Sequence, residues 1–267
     1  MLADIWPVLL TGLVAALVLQ VLTFFYALRV RRFSVVDVTW GLSFALIAVL
    51  AWLVSTGGPA DPLRRGLMLV LVTVWGVRLA WHIGQRQRGE TADDPRYTEM
   101  LSRSSGHPKL VALRKVFLLQ AVVAWFVALP VQFSMADAGG PGPLLWLGVA
   151  VWGIGFFFEA VGDRQLRRFK ASPANRGRVM DQGLWRYTRH PNYFGDACVW
   201  WGIYLIAADA GWSALTVLSP LLMTWFLAAK TGKPLLEKQL SRSRPGYADY
   251  VERTSGFIPW PPRRPRS

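Results

Sequence analysis

Long apolar stretches, separated by short polar segments that are mostly basic, dominate this chain. Runs of about 20 apolar residues recur, and as helices each is long enough to cross a hydrocarbon layer of roughly 30 Å. The pattern predicts seven spans, at residues 5–28, 35–55, 66–84, 116–135, 144–162, 194–208 and 212–229. The sixth is short and follows a Pro-Asn-Tyr turn, so it is expected to enter at an angle or to be partly re-entrant. No internal repeat is visible. The expected architecture is an all-α polytopic membrane protein. One domain covers residues 1–260, and a disordered basic tail, Pro261-Pro262-Arg263-Arg264-Pro265-Arg266, ends the chain.

Composition agrees with the pattern. Hydrophobic residues make up 53% and charged residues only 17%, against roughly 25% charged in an ordinary soluble chain. A net charge of +14 invites a nucleic-acid partner. The basic residues, however, lie between the apolar spans, as membrane topology requires, and no nucleic-acid partner is expected. The single cysteine, Cys198, excludes an internal disulfide and any CxxC metal site. Residues 1–28 lack a basic leader and a small-residue cleavage motif, so the first span is expected to be retained.

The charges also orient the chain. Lys and Arg number 3 after span one, 7 after span three, 8 after span five and 9 after span seven, 27 in all. The alternate loops hold only Arg64 and Arg65. Positive residues stay inside. The expectation is an integral protein of a bacterial inner membrane, N-terminus outside and C-terminus cytoplasmic.

Charges within spans are costly and mark function by default. Asp37 begins span two. Arg78 lies in span three, four residues before His82 and on the same helix face. Glu159 and Asp163 close span five, again four apart. Each has a plainer role open to it: a helix-end partner for Asp37, snorkelling for Arg78, an interfacial hydrogen bond for His82, pairing with Arg164 and Arg167 for the two acids.

The densest polar stretch runs from Asp163 to Asp196. It includes Arg167, Lys170, Arg178, Trp185, Tyr187 and the run Arg189-His190-Pro191-Asn192-Tyr193-Phe194-Gly195-Asp196. Arginine and lysine recognise phosphate, asparagine donates and accepts at once, and aspartates accept from ribose hydroxyls. Such a set fits a phosphorylated nucleotide cofactor at the membrane face. Lipid headgroups alone would explain the arginines but not Asn192, Asp163 or Asp196. Gly153-Ile154-Gly155 is half of a dinucleotide fingerprint inside an apolar span. No P-loop or HExxH spacing occurs, and no catalytic metal is expected.

The run Arg189 to Asp196 resembles the signature of the DUF1295, steroid 5α-reductase-like membrane proteins. Further matching pieces are Asp37-Val38-Thr39-Trp40-Gly41, Arg78-Leu79, Glu90 with Asp93-Asp94-Pro95-Arg96-Tyr97, Glu159 to Phe169, and Arg244-Pro245-Gly246-Tyr247-Ala248-Asp249-Tyr250. The resemblance covers nearly the whole chain. It implies seven spans, NADPH held from the cytoplasmic side, and hydride transfer to the β-carbon of an electron-poor C=C bond. The cofactor residues it implies are Arg78, Asp163, Arg167, Lys170, Asn192, Asp196, Arg242 and Tyr250, and the candidates Glu159, Arg178, Tyr187, Arg189, His190 and Tyr193 join them in the expected cofactor site. Asp196 stands where the steroid enzymes have glutamate.

One departure is chemical. The steroid enzymes polarise the substrate carbonyl with a span-two glutamate and a span-three tyrosine. Residues 66–84 contain no tyrosine, and Trp75 stands about where it would be. Asp37 and His82 are left as candidate catalytic groups. The expectation is an NADPH-dependent reductase of a lipid-soluble, sterol-like or isoprenoid enone, working among membrane lipids. Isoprenylcysteine carboxyl methyltransferases, which use S-adenosylmethionine, also carry an Arg-His-Pro run and form the alternative. A non-enzymatic lipid-binding protein would bind no nucleotide.

Overall fold

The structure is a computed structural model that describes residues 2–90, 92–230 and 232–263. Residues 264–267 of the expected tail lie outside the described residues. Among the described residues there is no strand, and an isolated bridge pairs Thr188 with Ser255. The chain divides into two compact units, Met1–Leu145 with Ile206–Ser219, and Trp146–Leu205 with Pro220–Ser267.

In the first unit, α1 (Leu2–Val30), α2 (Val36–Val54) and α3 (Pro62–Gln87) arise from Leu-, Val- and Ala-rich runs. Asp61 caps α3, accepting from Arg64 N at 2.9 Å, and Pro62 follows at the first helical position. Helices α2 and α3 meet where Gly41 faces Gly76. A Cβ on either glycine would collide with the other's carbonyl oxygen, the close approach that small residues permit in membrane helices. Beyond α3 lies the short α4 (Pro95–Ser102).

The expected span at 116–135 is not one helix. It comprises α5 (Pro108–Ala112), a π-helical stretch Leu113–Leu118, α6 (Leu119–Val127) and α7 (Leu129–Ser134). Pro130 lacks the N–H that would continue the ladder, so the helix breaks at Ala128.

Several buried charges in this unit find partners within it. Fully buried Arg64 donates to the carbonyls of Gly139 and Gly140 and lies 3.6 Å from Asp209. Asp209 in turn accepts from the backbone N–H groups of Gly142 and Leu144. Asp137 accepts from Ser213 N at 3.0 Å.

The second unit is built on α8 (Pro143–Ala171) and α9 (Pro191–Ala208). After α9 come α10 (Leu218–Trp225), α11 (Lys233–Ser243) and α12 (Tyr247–Arg253). Glycines seven apart line the α8–α9 contact. A Cβ on Gly195 would stand 2.5 Å from Gly155 O and from Glu159 N, and one on Gly202 would stand 2.6 Å from Trp152 N. One turn along α8, Gly162 admits the ring of Pro191.

Among the described residues six helical stretches are long and apolar enough to cross a membrane, and α9 is not one of them. Pro191, Asn192 and Asp196 lower the hydropathy of the helix expected as the sixth span.

Candidate functional site

The polar stretch singled out in the sequence folds around the entrance to α9. Asp163, on α8, is 5% exposed and accepts from Asn192 Nδ2 at 3.1 Å. Asn192 Oδ1 accepts from Tyr193 N at 3.1 Å, which fixes the carboxamide's orientation. Glu159, 2% exposed, lies one turn before Asp163, and buried Asp196 one turn after Asn192. Three acids and an amide therefore sit where glycines let two helices approach most closely. Polar groups at such depth persist only when they are hydrogen-bonded or paired, as Asn192 and Asp163 are. Among the described residues no group of three His, Cys, Asp or Glu has metal-holding geometry.

Arg189 and His190 serve a different part of the structure. Arg189 is 9% exposed. Its Nε donates to Glu237 Oε1 at 2.8 Å, and Nη1 donates to the carbonyls of Val251 at 3.0 Å and Thr254 at 2.5 Å. His190, fully buried, holds Glu237 Oε1 with Nε2 at 3.0 Å and stacks on the Tyr193 ring at 5.3 Å. Burial pushes its pKa below the ordinary histidine value; Arg189 and Lys233 add to that shift while Glu237 opposes it. Tyr250 donates to Trp185 O at 2.5 Å, and Trp185 Nε1 donates to Gly162 O at 3.0 Å. The Arg-His-Pro run thus clamps α11, α12 and the segment beyond them to the start of α9. Arg189, His190 and Tyr250, expected at the cofactor, make these internal bonds in the structure.

The other second-unit candidates are accessible. Arg167, Lys170, Arg178, Tyr187 and Arg242 are all exposed, which suits recognition of an anionic ligand. Asp37, Arg78 and His82 belong to the first unit, where all three are half-buried and Arg78 and His82 share a face of α3.

Two residues were missed as site groups. Tyr97, on α4, donates to Asp37 Oδ1 at 2.5 Å, and Arg96 Nη2 donates to Asp37 Oδ2 at 2.8 Å. Burial and the Asp37 carboxylate push the Tyr97 hydroxyl well above the usual tyrosine range, so it stays protonated and donating at neutral pH. Span three carries no tyrosine, and the chain returns one from the following loop helix. Asp93 accepts from Phe33 N at 2.8 Å and Ser34 N at 2.9 Å, which brings that loop to the start of α2. Glu237 was the second omission, an isolated acid in a basic helix with no motif to mark it.

Long apolar helices with buried polar groups at the entrance to α9 point to an integral membrane protein. More narrowly, the chain belongs to the DUF1295 family, described as a protein of unknown function, whose model matches residues 23–254. It is 26% identical over 226 residues to the uncharacterized protein C594.04c of Schizosaccharomyces pombe, an alignment covering 73% of this chain and 63% of the relative. The chain therefore spans somewhat less than two thirds of that relative's length. No solved structure matches it.

Proposed function

We propose that the protein is an NADPH-dependent reductase of a conjugated C=C bond in a lipid-soluble, sterol-like or isoprenoid substrate. The observation that carries this reading is the Asn192–Asp163 pair at the glycine-lined α8–α9 crossing. It is the polar pair that the resemblance to the steroid 5α-reductase-like proteins assigns to the cofactor. The residues present fit the group. The oriented carboxamide of Asn192 and the buried Asp163 suit amide and ribose hydroxyls, and exposed Arg167, Lys170 and Arg178 suit phosphates. When bound, NADPH supplies the hydride. The surplus of arginine favours the 2′-phosphorylated form over NADH.

The polarising role falls to Tyr97 with Asp37. The Tyr97 hydroxyl gives its single proton to Asp37, and for the reaction it would turn that proton to the carbonyl oxygen, where negative charge develops. His82 and Arg78 keep their standing as a candidate acid and a candidate phosphate partner. The loops rich in Lys and Arg are assigned to the cytoplasm, with the N-terminus outside.

The test is ligand stabilisation of the detergent-purified protein. NADPH should raise its unfolding temperature more than NADH does, and Asn192→Ala should abolish the shift. A shift with S-adenosylmethionine alone would sink the reductase reading in favour of a methyltransferase, and an undiminished NADPH shift in Asn192→Ala would move the site elsewhere.

A further inference from the structure

The segment after α12 lines a cavity of about 350 Å³ beside Arg189. Arg189, Arg253, Ser255, Gly256, Trp260 and Arg263 contribute to its walls, with Glu252 as the acid among them. Two cations converge on Gly256. A Cβ there would stand 2.6 Å from Lys233 Nζ and 3.1 Å from Arg189 Nη2. Nη2 takes no part in the bonds that commit Nε and Nη1 to Glu237, Val251 and Thr254.

Lys233 has no ion-pair partner among the described residues. Glu237, one turn along α11 from Lys233, already receives Arg189 and His190. Arg253 is paired with Asp181 at 2.6 Å, and a backbone bond from Arg263 N to Arg253 O, 2.9 Å, fixes the chain at the cavity mouth. Two like charges brought together beside a residue with no side chain repel each other, and an anion between them would reverse the sign of the interaction.

The outer surface of the same segment is apolar. Ile258 is 65% exposed and Trp260 69% exposed. An exposed isoleucine and tryptophan next to a basic cavity are poorly suited to water and well suited to the boundary between headgroups and acyl chains, where tryptophan collects. Cationic groups at that boundary attract anionic lipid.

We propose that the phosphate of an anionic phospholipid binds at the Gly256 edge of this cavity, between Arg189, which lines it, and Lys233, whose Nζ lies beside Gly256, with Ile258 and Trp260 against the lipid. A soluble phosphate ester shares the chemistry, and the experiment separates the two sources. The site is independent of the reductase reading and of Asn192.

Full-length protein in phosphatidylcholine nanodiscs is compared with the same protein in discs containing phosphatidylglycerol, by thermal unfolding and by lipid retention in native mass spectrometry. Phosphatidylglycerol is expected to stabilise the wild type. Lys233→Met should weaken the apparent affinity about fivefold, the effect of one cation near a lipid surface. Lys233→Arg should keep the response, which separates charge from packing, and Arg103→Met, a charge removed elsewhere, should leave it intact. The proposal is overturned by equal responses in wild type and Lys233→Met, or by loss of the response in Lys233→Arg. It is also overturned if inorganic phosphate or NADPH in phosphatidylcholine discs gives the Lys233-dependent shift that phosphatidylglycerol does not.

Discussion

At the residue scale, the most informative groups are those whose hydrogen bonds are spent. Arg189 looks in the sequence like a phosphate ligand because arginine in a basic loop at a span entrance is a common anion contact. Its burial and the bonds of Nε and Nη1 to Glu237 and two carbonyls make it a clamp, with Nη2 left toward Gly256. Nothing in the linear sequence predicts this, because the partners lie 48 to 65 residues away.

Asn192 and Asp163 were legible, because their chemistry is unusual for a topology loop. Tyr97 was not, because its pairing with Asp37 depends on how a short helix after span three folds back. The pair predicts a separable effect. Tyr97→Phe should lower the reduction rate by roughly 10²-fold, the scale of losing one donor to a developing oxyanion. The NADPH-induced thermal shift should persist, since no cofactor contact is removed. A rate within a fewfold of wild type would return the polarising role to His82 or another donor.

At the element scale, hydrophobic periodicity located the helices well, since long apolar runs have few alternatives in lipid. It failed where a helix is interrupted. The break between α6 and α7 follows from Pro130, and the π-helical stretch before α6 has no signal in the apolar pattern. Nor could the pattern reveal that glycines at 155, 162, 195 and 202 are structural. One of them, Gly155, reads with Gly153 as a broken dinucleotide motif.

In the structure Gly155 packs against Gly195, where a Cβ would meet backbone atoms on the neighbouring helix. Backbone cannot swing aside as a side chain does. Gly195→Val should therefore cost about 1–3 kcal/mol, as overpacking does, and should also displace Glu159 and the Asn192–Asp163 pair nearby. A lowered unfolding temperature with loss of NADPH stabilisation is the expected result. Gly153, whose Cβ position is open, should accept alanine without either effect. Loss at Gly153 equal to loss at Gly195 would mean that the crossing tolerates no change at all and that the contact is not specific.

At the scale of the whole molecule, the charge pattern makes its own prediction. Only Arg64 and Arg65 stand against 27 Lys and Arg on the opposite set of loops. Arg64 is fully buried, bonded to Gly139 and Gly140 beside Asp209, so it is a fold-holding cation rather than a topology signal. Arg65 donates to Trp52 O at 2.9 Å and lies over the Trp52 ring at 5.9 Å. With both accounted for locally, the bias that orients the chain is nearly absolute, and translocating any of the basic loops would be strongly disfavoured. Single cysteines introduced into a Cys198→Ala background read this directly. In intact cells a membrane-impermeant maleimide should label Thr56→Cys and Ala138→Cys, in the loops after α2 and α7. It should label Ser104→Cys and Ala174→Cys only after permeabilisation, because those loops carry the cations. The reverse labelling would invert the chain and place the Asn192 crossing away from the cytoplasmic pool of nicotinamide nucleotides, which would remove the physical basis of the reductase reading along with the topology.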